Sequence, residues 1–583
     1  MPQRRSANYQ PNSWDYDSIC SLRPEEDQSS QDDKEPSKHE SLKNRVRQLF
    51  LDKKEKLPTR LRIMDQLQTF GVAYHFEDEI KTTLVSMHVE HAYHHLKNDL
   101  SSTALLFRLL RGNGLHASTD MLDAFIGGDK RGGFGGINPE DIDGIIELYQ
   151  ASYLAFPDET MLDRARAFSI ETLTQMMSLM VPKQREIVEG VLLDLPLHWG
   201  APRLHAIRSL KRGRKNNSND DNNCSINPSI LELATVDFNL VQSVHRAELV
   251  KITMWWKETA LSEKLPSGRD RLVECFFGAV CIAPDPRLAA CREVLAKIGS
   301  LLVHLDDVYD VYGTLDELTA FTDAIGRWDN AFMAEEATLP ESMKAMYAAI
   351  WTTSTGAADR VMKDKGYDVL PLYRKAWHEL CKAFLVEAEW KYQSYWPRSD
   401  EYLDNGWITS TGPLLLLHAF PTLNLNLNEA QQQINACLGD DQNIGGDGSI
   451  DYPRLVELSS TIFRLCNDCA THKADSEQGD DEPSSIACYM RDIGASEEDA
   501  RGAVQNTIAE NWKEINNEAC TGGWNLSSPY GMANICINLA RIFHDIYHNG
   551  DSITSPTDSK KQLVKDLIFI PIVICDTEPQ HER

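Results

Sequence analysis

Apolar residues recur three and four positions apart through most of this chain, which is the spacing of one face of an α-helix. The pattern is clear at 41–51, 60–69 and 103–110, and it continues through 139–155 and 160–180. Few segments alternate apolar and polar residues in the way that strands do. The sequence therefore predicts an all-α fold.

Two polar stretches interrupt this pattern and indicate the domain organisation. Residues 1–40 are predicted to form an N-terminal arm, with a flexible, acidic, Ser-rich piece after Arg23. Residues 211–225 are polar and Asn-rich, and we expect a solvated loop there. Placing a boundary after it gives a helical N-terminal domain at 41–226 and a helical C-terminal domain at 227–583.

The charge of the chain excludes some classes of partner. The 583 residues carry a formal net charge of −28, with a sequence pI near 5.0. A nucleic-acid binder needs a basic surface, and an anionic membrane attracts basic segments, so we expect neither partner. No apolar stretch approaches the length of a membrane span, so no membrane insertion is expected. An anionic substrate must be held by local Arg, Lys or metal.

Three carboxylates, Asp306, Asp307 and Asp310, stand at the end of an apolar helical run at 294–305. On an α-helix Asp306 and Asp310 share a face, with Asp307 about 100° round. Burying like charges is costly unless cations compensate them. Hard oxygen ligands of this kind suit Mg²⁺, which usually shares its shell with substrate phosphates. The pattern indicates a magnesium site, with an exposed acidic helix end as the alternative.

A second apolar run, at 455–465, also turns polar at its end. Asn467, Thr471 and Asp475 follow at intervals of four, which places three oxygen ligands along one helix face. Arg464 lies on the same side and would suit a phosphate oxygen. If the two polar helix ends face each other across a bundle, they make a cage for several Mg²⁺ ions and a diphosphate. The alternative is a polar helix end at the surface.

Arg269 and Arg271, which flank Asp270, form a third element shortly before the acidic run. Two guanidinium groups could follow a departing diphosphate without losing their own charge. The alternative is a surface pair with carboxylate neighbours.

Together these elements resemble the plant terpene synthases, over nearly the whole chain. Asp306-Asp307-Val308-Tyr309-Asp310 matches the aspartate-rich motif of that family, Asn467, Thr471 and Asp475 its second metal motif, and Arg269-Asp270-Arg271 its RxR motif. Arg4-Arg5 with Trp14 matches the tandem-arginine motif of the branch that contains many monoterpene, isoprene and farnesene synthases.

The resemblance implies a class I catalytic α-helical bundle behind a smaller, non-catalytic, barrel-like helical domain, with the arm folded over the mouth of the site. It implies a monomer that ionises an allylic prenyl diphosphate with three Mg²⁺ ions, for which Mn²⁺ could substitute. The implied metal ligands are Asp306, Asp310, Asn467, Thr471 and Asp475. The implied diphosphate-binding residues are Arg269, Arg271, Asp306, Asp310, Arg464 and Asn467, and the implied catalytic residues are Asp306, Asp307, Asp310 and Arg269.

Two departures from the family pattern stand out. Position 475 is Asp where the family usually has Glu, and Glu477 follows two residues later. Gly278 falls where many cyclising relatives carry a Trp that would shield a cyclic cation. We therefore expect a mainly acyclic product from geranyl or farnesyl diphosphate, of the ocimene, myrcene, linalool, farnesene or nerolidol type. The alternatives are a cyclic monoterpene synthase of the same family and, more distantly, a non-enzymatic helical scaffold.

The N-terminus leaves two expectations for location. Only three residues precede Arg4, which gives no room for a transit peptide. We expect a plastid enzyme if the sequence lacks its transit peptide, and a cytoplasmic enzyme otherwise.

Overall fold

The computed structural model describes residues 9–22, 34–51, 55–89, 92–96, 98–126, 137–217, 226–266, 268–328, 339–423, 450–478, 482–522, 531–548, 550 and 557–573. Within these ranges the side chains at 34–37, 50–51, 89, 126, 214–217 and 473–478 are not described. The regular elements in the described parts are all helices, which confirms the all-α prediction. Arg4 and Arg5 lie outside the described residues, as do 23–33 of the predicted flexible arm.

In the part of the chain before residue 226 that the structure describes, there are ten α-helices. They are α1 (Tyr16–Cys20), α2 (Lys34–Leu51), α3 (Leu57–Thr69), α4 (Glu77–Val89), α5 (Leu100–Gly112), α6 (Asp123–Ile126), α7 (Ile142–Ser152), α8 (Thr160–Met176), α9 (Pro182–Leu193) and α10 (Pro202–Asn217). Short 3₁₀ turns lie at Ala73–His75, Ala92–His95, Thr119–Leu122 and Met177–Leu179.

Fourteen further α-helices are described after residue 226. They are α11 (Pro228–Thr259), α12 (Leu261–Lys264), α13 (Leu272–Ile282), α14 (Ala289–Asp307), α15 (Leu315–Arg327), α16 (Glu341–Lys365), α17 (Leu370–Gln393), α18 (Ser399–Thr409), α19 (Gly412–Ala419), α20 (Arg454–Gln478), α21 (Ser485–Ile493), α22 (Glu497–Thr521), α23 (Met532–Tyr547) and α24 (Asp558–Ile568). A π-helical turn follows α14 at Val308–Tyr312, and 3₁₀ turns lie at Pro286–Leu288 and Phe420–Thr422.

The sequence placed most of these helices correctly and two segments wrongly. Residues 211–217 belong to helix α10, which continues to Asn217, and do not form the predicted loop. At the start of this segment Lys211 forms an ion pair with Asp566. Helix α7 begins at Ile142, three residues after the expected first helical position at Pro139, because the side chain of Asp141 caps it by accepting from the Gly144 N–H.

Packing brings the two polar helix ends into one bundle. Helix α14 packs against α13, α16 and α19, while α20 packs against α18, α19, α22 and α23. The 32-residue helix α11 starts at a cap supplied by Asn227, and it contacts α2 from the N-terminal half as well as α13 and α14. Most buried apolar side chains of the described chain, from Ile19 to Ile572, form one continuous core. The domain limits at 226 and 227 stay a prediction.

A membrane span needs a long, uniformly apolar helix. Among the described residues, every helix is too short or too polar for that.

Candidate active site

The aspartate-rich segment ends helix α14 and continues into a wider turn. The regular helix stops at Asp307, and residues 308–312 form the π-helical turn. The expectation that Asp306 and Asp310 lie on one face of a regular α-helix is therefore wrong in detail, because the wider turn changes the angle between them. Single π-turns of this kind frequently mark functional sites.

Arg269 binds the first two carboxylates of this segment. Its backbone N–H donates to Asp307 Oδ2 at 2.6 Å and its Nε donates to Asp307 Oδ1 at 2.8 Å. Its Nη2 donates to Asp306 Oδ2 at 2.5 Å. The structure thus brings the predicted RxR motif onto the predicted metal motif. Asp307 is buried and holds Arg269 in place, whereas Asp306 and Asp310 remain accessible from the site.

Negative charge is concentrated around these carboxylates. Burial raises the pKa of Asp307 to about 6, and Asp306 adds to the shift while Arg269 opposes it. The pKa of Asp310 is raised well above its ordinary value by desolvation and by Asp306, Glu387 and Glu482. The Asp310 residue is exposed, which weakens the effect of desolvation, but its three acidic neighbours also raise the pKa. Carboxylates crowded in this way favour a bound cation or proton.

Arg464 and its partners form the facing wall of the site. Arg464 Nε donates to the Gly406 carbonyl at 3.0 Å, and Nη2 donates to Thr409 Oγ1 at 2.7 Å. Thr409 Oγ1 donates in turn to Glu387 Oε1 at 2.6 Å. The negative charge of Asp306 contributes to the raised pKa values of both Arg464 and Glu387. The charge of Asp306 therefore acts on residues of α17 and α20 as well as on Arg269.

The second predicted metal motif occupies the same helix as Arg464. Asn467 and Thr471 are half-buried on α20, one and two turns after Arg464. Asp468, next to Asn467, is buried, and it accepts hydrogen bonds from Tyr402 Oη and the Ser485 N–H. Asp475 and Glu477 belong to α20, but their side chains lie outside the described residues. Their ligand roles stay a prediction.

The N-terminal arm contacts the segment that carries the two arginines. Arg271 is buried and its Nη2 donates to the Gln10 carbonyl at 2.7 Å. The guanidinium of Arg269 lies 4.9 Å from the centre of the Tyr9 ring. The structure thus places Arg269 toward the carboxylates and Arg271 toward the arm. The predicted role of Arg271 in diphosphate binding stays a prediction.

Two further contacts hold the arm against this segment. Trp14 Nε1 donates to Glu274 Oε1 at 2.9 Å, and the Trp14 ring stacks on Phe569 at 5.7 Å. Tyr16 Oη donates to Asp270 Oδ1 at 2.5 Å. The arm therefore lies against residues 269–274, whereas its position over the mouth of the site stays a prediction.

Three charged residues of the site were not found from the sequence: Glu387, Lys391 and Glu482. Glu387 and Lys391 lie on α17, where Lys391 donates to the Asp310 carbonyl at 3.3 Å and forms an ion pair with Glu482. These residues stand alone in the sequence, without a recognisable spacing to other ligands. The same helix carries another charged pair four apart, Lys375 and Glu379, so spacing could not single out Glu387 and Lys391.

Comparisons with known proteins agree with this architecture. The model of the terpene synthase family metal binding domain matches residues 257–514, and the model of the terpene synthase N-terminal domain matches residues 13–192. The chain is 38% identical to the chloroplastic isoprene synthase of Populus tremuloides over 571 residues, which are 98% of this chain and 90% of that protein.

Two solved structures are similar over nearly the full length. Isoprene synthase from grey poplar (Populus x canescens), in complex with three Mg²⁺ ions and dimethylallyl-S-thiolodiphosphate, has a TM-score of 0.81 at 36% identity, covering 96% of this chain and 99% of that one. A limonene synthase with 2-fluorolinalyl diphosphate has a TM-score of 0.87 at 33% identity, covering 98% and 100%.

The fold, the family models and these relatives agree on the class of the protein. It belongs to the terpene synthase family and is an enzyme with two helical domains and a class I metal-binding domain.

Proposed function

We propose that this enzyme ionises geranyl or farnesyl diphosphate in a Mg²⁺-dependent reaction that yields a terpene and diphosphate. The observation that carries the proposal is the contact of Arg269 with Asp306 and Asp307, in a site where the charge of Asp306 also acts on Arg464 and Glu387. This arrangement combines carboxylates for cations with guanidinium groups for an anionic leaving group.

The residues present fit magnesium. Their donors are carboxylate, amide and hydroxyl oxygens, and the mutual repulsion at Asp307 and Asp310 is what added positive charge would relieve. We assign three Mg²⁺ ions, replaceable by Mn²⁺, to Asp306, Asp310, Asn467, Thr471 and Asp475. When bound, these ions would neutralise the diphosphate and make it a better leaving group. The three Mg²⁺ ions in the grey poplar structure support this number.

The protein's own groups would bind and orient the diphosphate. Arg269, held by Asp307, and Arg464, held by the Gly406 carbonyl and Thr409, point fixed positive charge into the site. Both stay charged while the allylic C–O bond breaks and the electron pair leaves with the diphosphate. The carbocation that remains needs a dry apolar pocket, where aromatic faces can stabilise it until it loses a proton or adds water.

We further propose that the product is mainly acyclic. Gly278 is buried on α13, and no heavy atom lies within 4 Å of the position that a Cβ would occupy. Open space at this position supports a pocket that lacks the shielding indole of cyclising relatives. The similarity to isoprene synthases favours an acyclic product, whereas the similarity to limonene synthase favours the cyclic alternative.

Product analysis tests the proposal. Purified enzyme is incubated separately with dimethylallyl, geranyl and farnesyl diphosphate and Mg²⁺, and volatiles are identified by gas chromatography and mass spectrometry. We expect acyclic terpenes from geranyl or farnesyl diphosphate. Release of isoprene alone would identify dimethylallyl diphosphate as the substrate instead. The absence of any product would reject the proposed reaction.

We infer a monomer that acts in plastids. Support for the compartment comes from the isoprene synthase of Populus tremuloides, which is named chloroplastic.

Mg²⁺ should stabilise the protein more at about pH 7.5 than at about pH 5. The folded-state pKa of Asp307 is raised from 3.8 to about 6, so its contribution to stability is present below its ordinary pKa and is lost as pH rises through about 6. Mg²⁺ held by the ionised Asp306 and Asp310 adds positive charge beside Asp307 and offsets the lost stability. Thermal unfolding with and without Mg²⁺ at the two pH values measures this. An equal or larger Mg²⁺ effect at the lower pH would contradict the assignment.

Replacing Trp14 by Ala should lower kcat/KM on the order of ten-fold, because the arm that orders residues 269–274 loses its anchor. Trp14→Phe keeps a ring to stack on Phe569 but loses the hydrogen bond to Glu274, so we expect an intermediate effect. The control is Tyr392→Ala, which removes an aromatic side chain that is 75% exposed. Steady-state kinetics of the three variants measure these effects on kcat/KM. Wild-type kinetics in Trp14→Ala would exclude a role for the arm in catalysis.

A further inference from the structure

A second group of ligand-type side chains lies away from the active site, where the N-terminal half packs on helix α11. His39 of α2, His75 of a 3₁₀ turn and Asp237 of α11 place one ligand atom each within 4.8 Å of one another. His39 Nε2 lies 3.0 Å from Asp237 Oδ1, and His75 Nε2 lies 2.8 Å from the same oxygen. The two rings are 5.1 Å apart, centre to centre.

The hydrogen bonding of Asp237 is unusually one-sided. Tyr74 Oη also donates to Oδ1, at 2.7 Å, so three groups converge on one oxygen that has two lone pairs. The other oxygen, Oδ2, has no hydrogen-bond partner among the described residues. It is also buried, since only 2% of Asp237 is exposed. A buried carboxylate normally uses both oxygens. The arrangement satisfies the hydrogen bonds of this carboxylate poorly, while it gathers nitrogen and oxygen donors around one point.

The distances fit a small transition-metal ion. Tetrahedral Zn²⁺ with ligands at ~2.0–2.2 Å separates neighbouring ligand atoms by about 3.3–3.6 Å. The two nitrogen-to-oxygen distances of 3.0 and 2.8 Å would therefore have to lengthen by about 0.3–0.8 Å, which side-chain rotation can supply. The side chains of His39 and His75 are 14% and 15% exposed, so a water ligand can reach the fourth position.

The charges around the cluster are of both signs. The carboxylate of Asp237 attracts the buried guanidinium of Arg203. The guanidinium of Arg287 lies 5.7 Å from the centre of the Tyr74 ring, and it forms ion pairs with Asp285 and Glu77. Two neutral imidazoles and one carboxylate would leave a bound Zn²⁺ with a single net positive charge. Imidazole and carboxylate donors suit Zn²⁺, whereas Mg²⁺ prefers oxygen ligands.

We infer that His39, His75 and Asp237 form a structural site for Zn²⁺ or a similar transition-metal ion, distinct from the Mg²⁺ site. The site joins α2 to α11, and so ties the chain that follows the arm to the helix that opens the C-terminal half. Bound metal stabilises the folded state because the three ligands come together only on folding.

Metal retention tests the site. Full-length protein is stripped with chelator, incubated with Zn²⁺ in excess Mg²⁺ to occupy the active site, desalted, and assayed for zinc per chain and for melting temperature. We expect about one Zn²⁺ per chain and a higher melting temperature for the wild type. Retention should fall at least about ten-fold in His39→Gln and in His75→Gln.

Two controls separate this site from others. Asp306→Asn, at the active site, should retain zinc like the wild type, and so should His116→Gln, which changes an exposed histidine of the same half. Wild-type protein that retains no zinc would overturn the inference, even if a variant fails to fold. Zinc retention at the wild-type level in both His39→Gln and His75→Gln would overturn it as well.

Discussion

Replacing Asp306 by Asn should lower kcat/KM by at least about 100-fold, which corresponds to about 2.7 kcal/mol of lost transition-state stabilisation. Asp306 is assigned both a metal-ligand role and a contact to Arg269, at 2.5 Å. The amide keeps the size of the side chain but removes the negative charge that binds Mg²⁺. Steady-state kinetics on the preferred substrate, at saturating Mg²⁺, measure the loss.

The matched control for Asp306→Asn is Asp316→Asn, which makes the same change at an exposed position in the first turn of α15. We expect wild-type kinetics from the control. Circular dichroism and melting temperature show whether each variant folds. A folded Asp306→Asn enzyme with kcat/KM within a few-fold of the wild type would contradict the metal assignment.

Replacing Gly278 by Trp should shift the product mixture toward cyclic terpenes. No heavy atom lies within 4 Å of the Cβ position, so the side chain can begin without a clash. An indole face stabilises a nearby cation by about 0.5–2 kcal/mol, which is enough to change a product ratio by about two-fold to thirty-fold. Chromatography of products from geranyl diphosphate measures the ratio.

The control for Gly278→Trp is Gly356→Trp, on the exposed face of α16, where a Cβ also meets no heavy atom within 4 Å. It should leave the product profile unchanged. An unchanged profile in a folded, active Gly278→Trp enzyme would reject the link between this position and an acyclic product.

The helical character and the approximate positions of the site helices could be read from the sequence. Apolar residues at helical spacing placed α14 and α20, and each run turned polar at Asp306 and Arg464. Such patterns survive because a helix in a core must bury one face continuously. In the structure Arg269 contacts the acidic helix end, which brings the RxR segment and the aspartate-rich segment together.

Other features depend on tertiary packing and left no periodic signal. The π-helical turn at 308–312 replaces the regular helix that the spacing predicted, and local propensity does not encode such a turn. Glu387 joins the site because α17 packs beside α18, whose Thr409 donates to it. The burial of Arg271 against Gln10 likewise requires knowing where the arm lies.

The most direct test of Mg²⁺-dependent ionisation is the rate at which the enzyme releases diphosphate from geranyl diphosphate and from farnesyl diphosphate, with Mg²⁺ and after its removal with chelator. We predict rapid release with Mg²⁺ from at least one substrate, loss of release on chelation, and recovery when Mg²⁺ or Mn²⁺ is restored. Release that continues unchanged without metal, or no release from either substrate in the presence of Mg²⁺, would contradict the account.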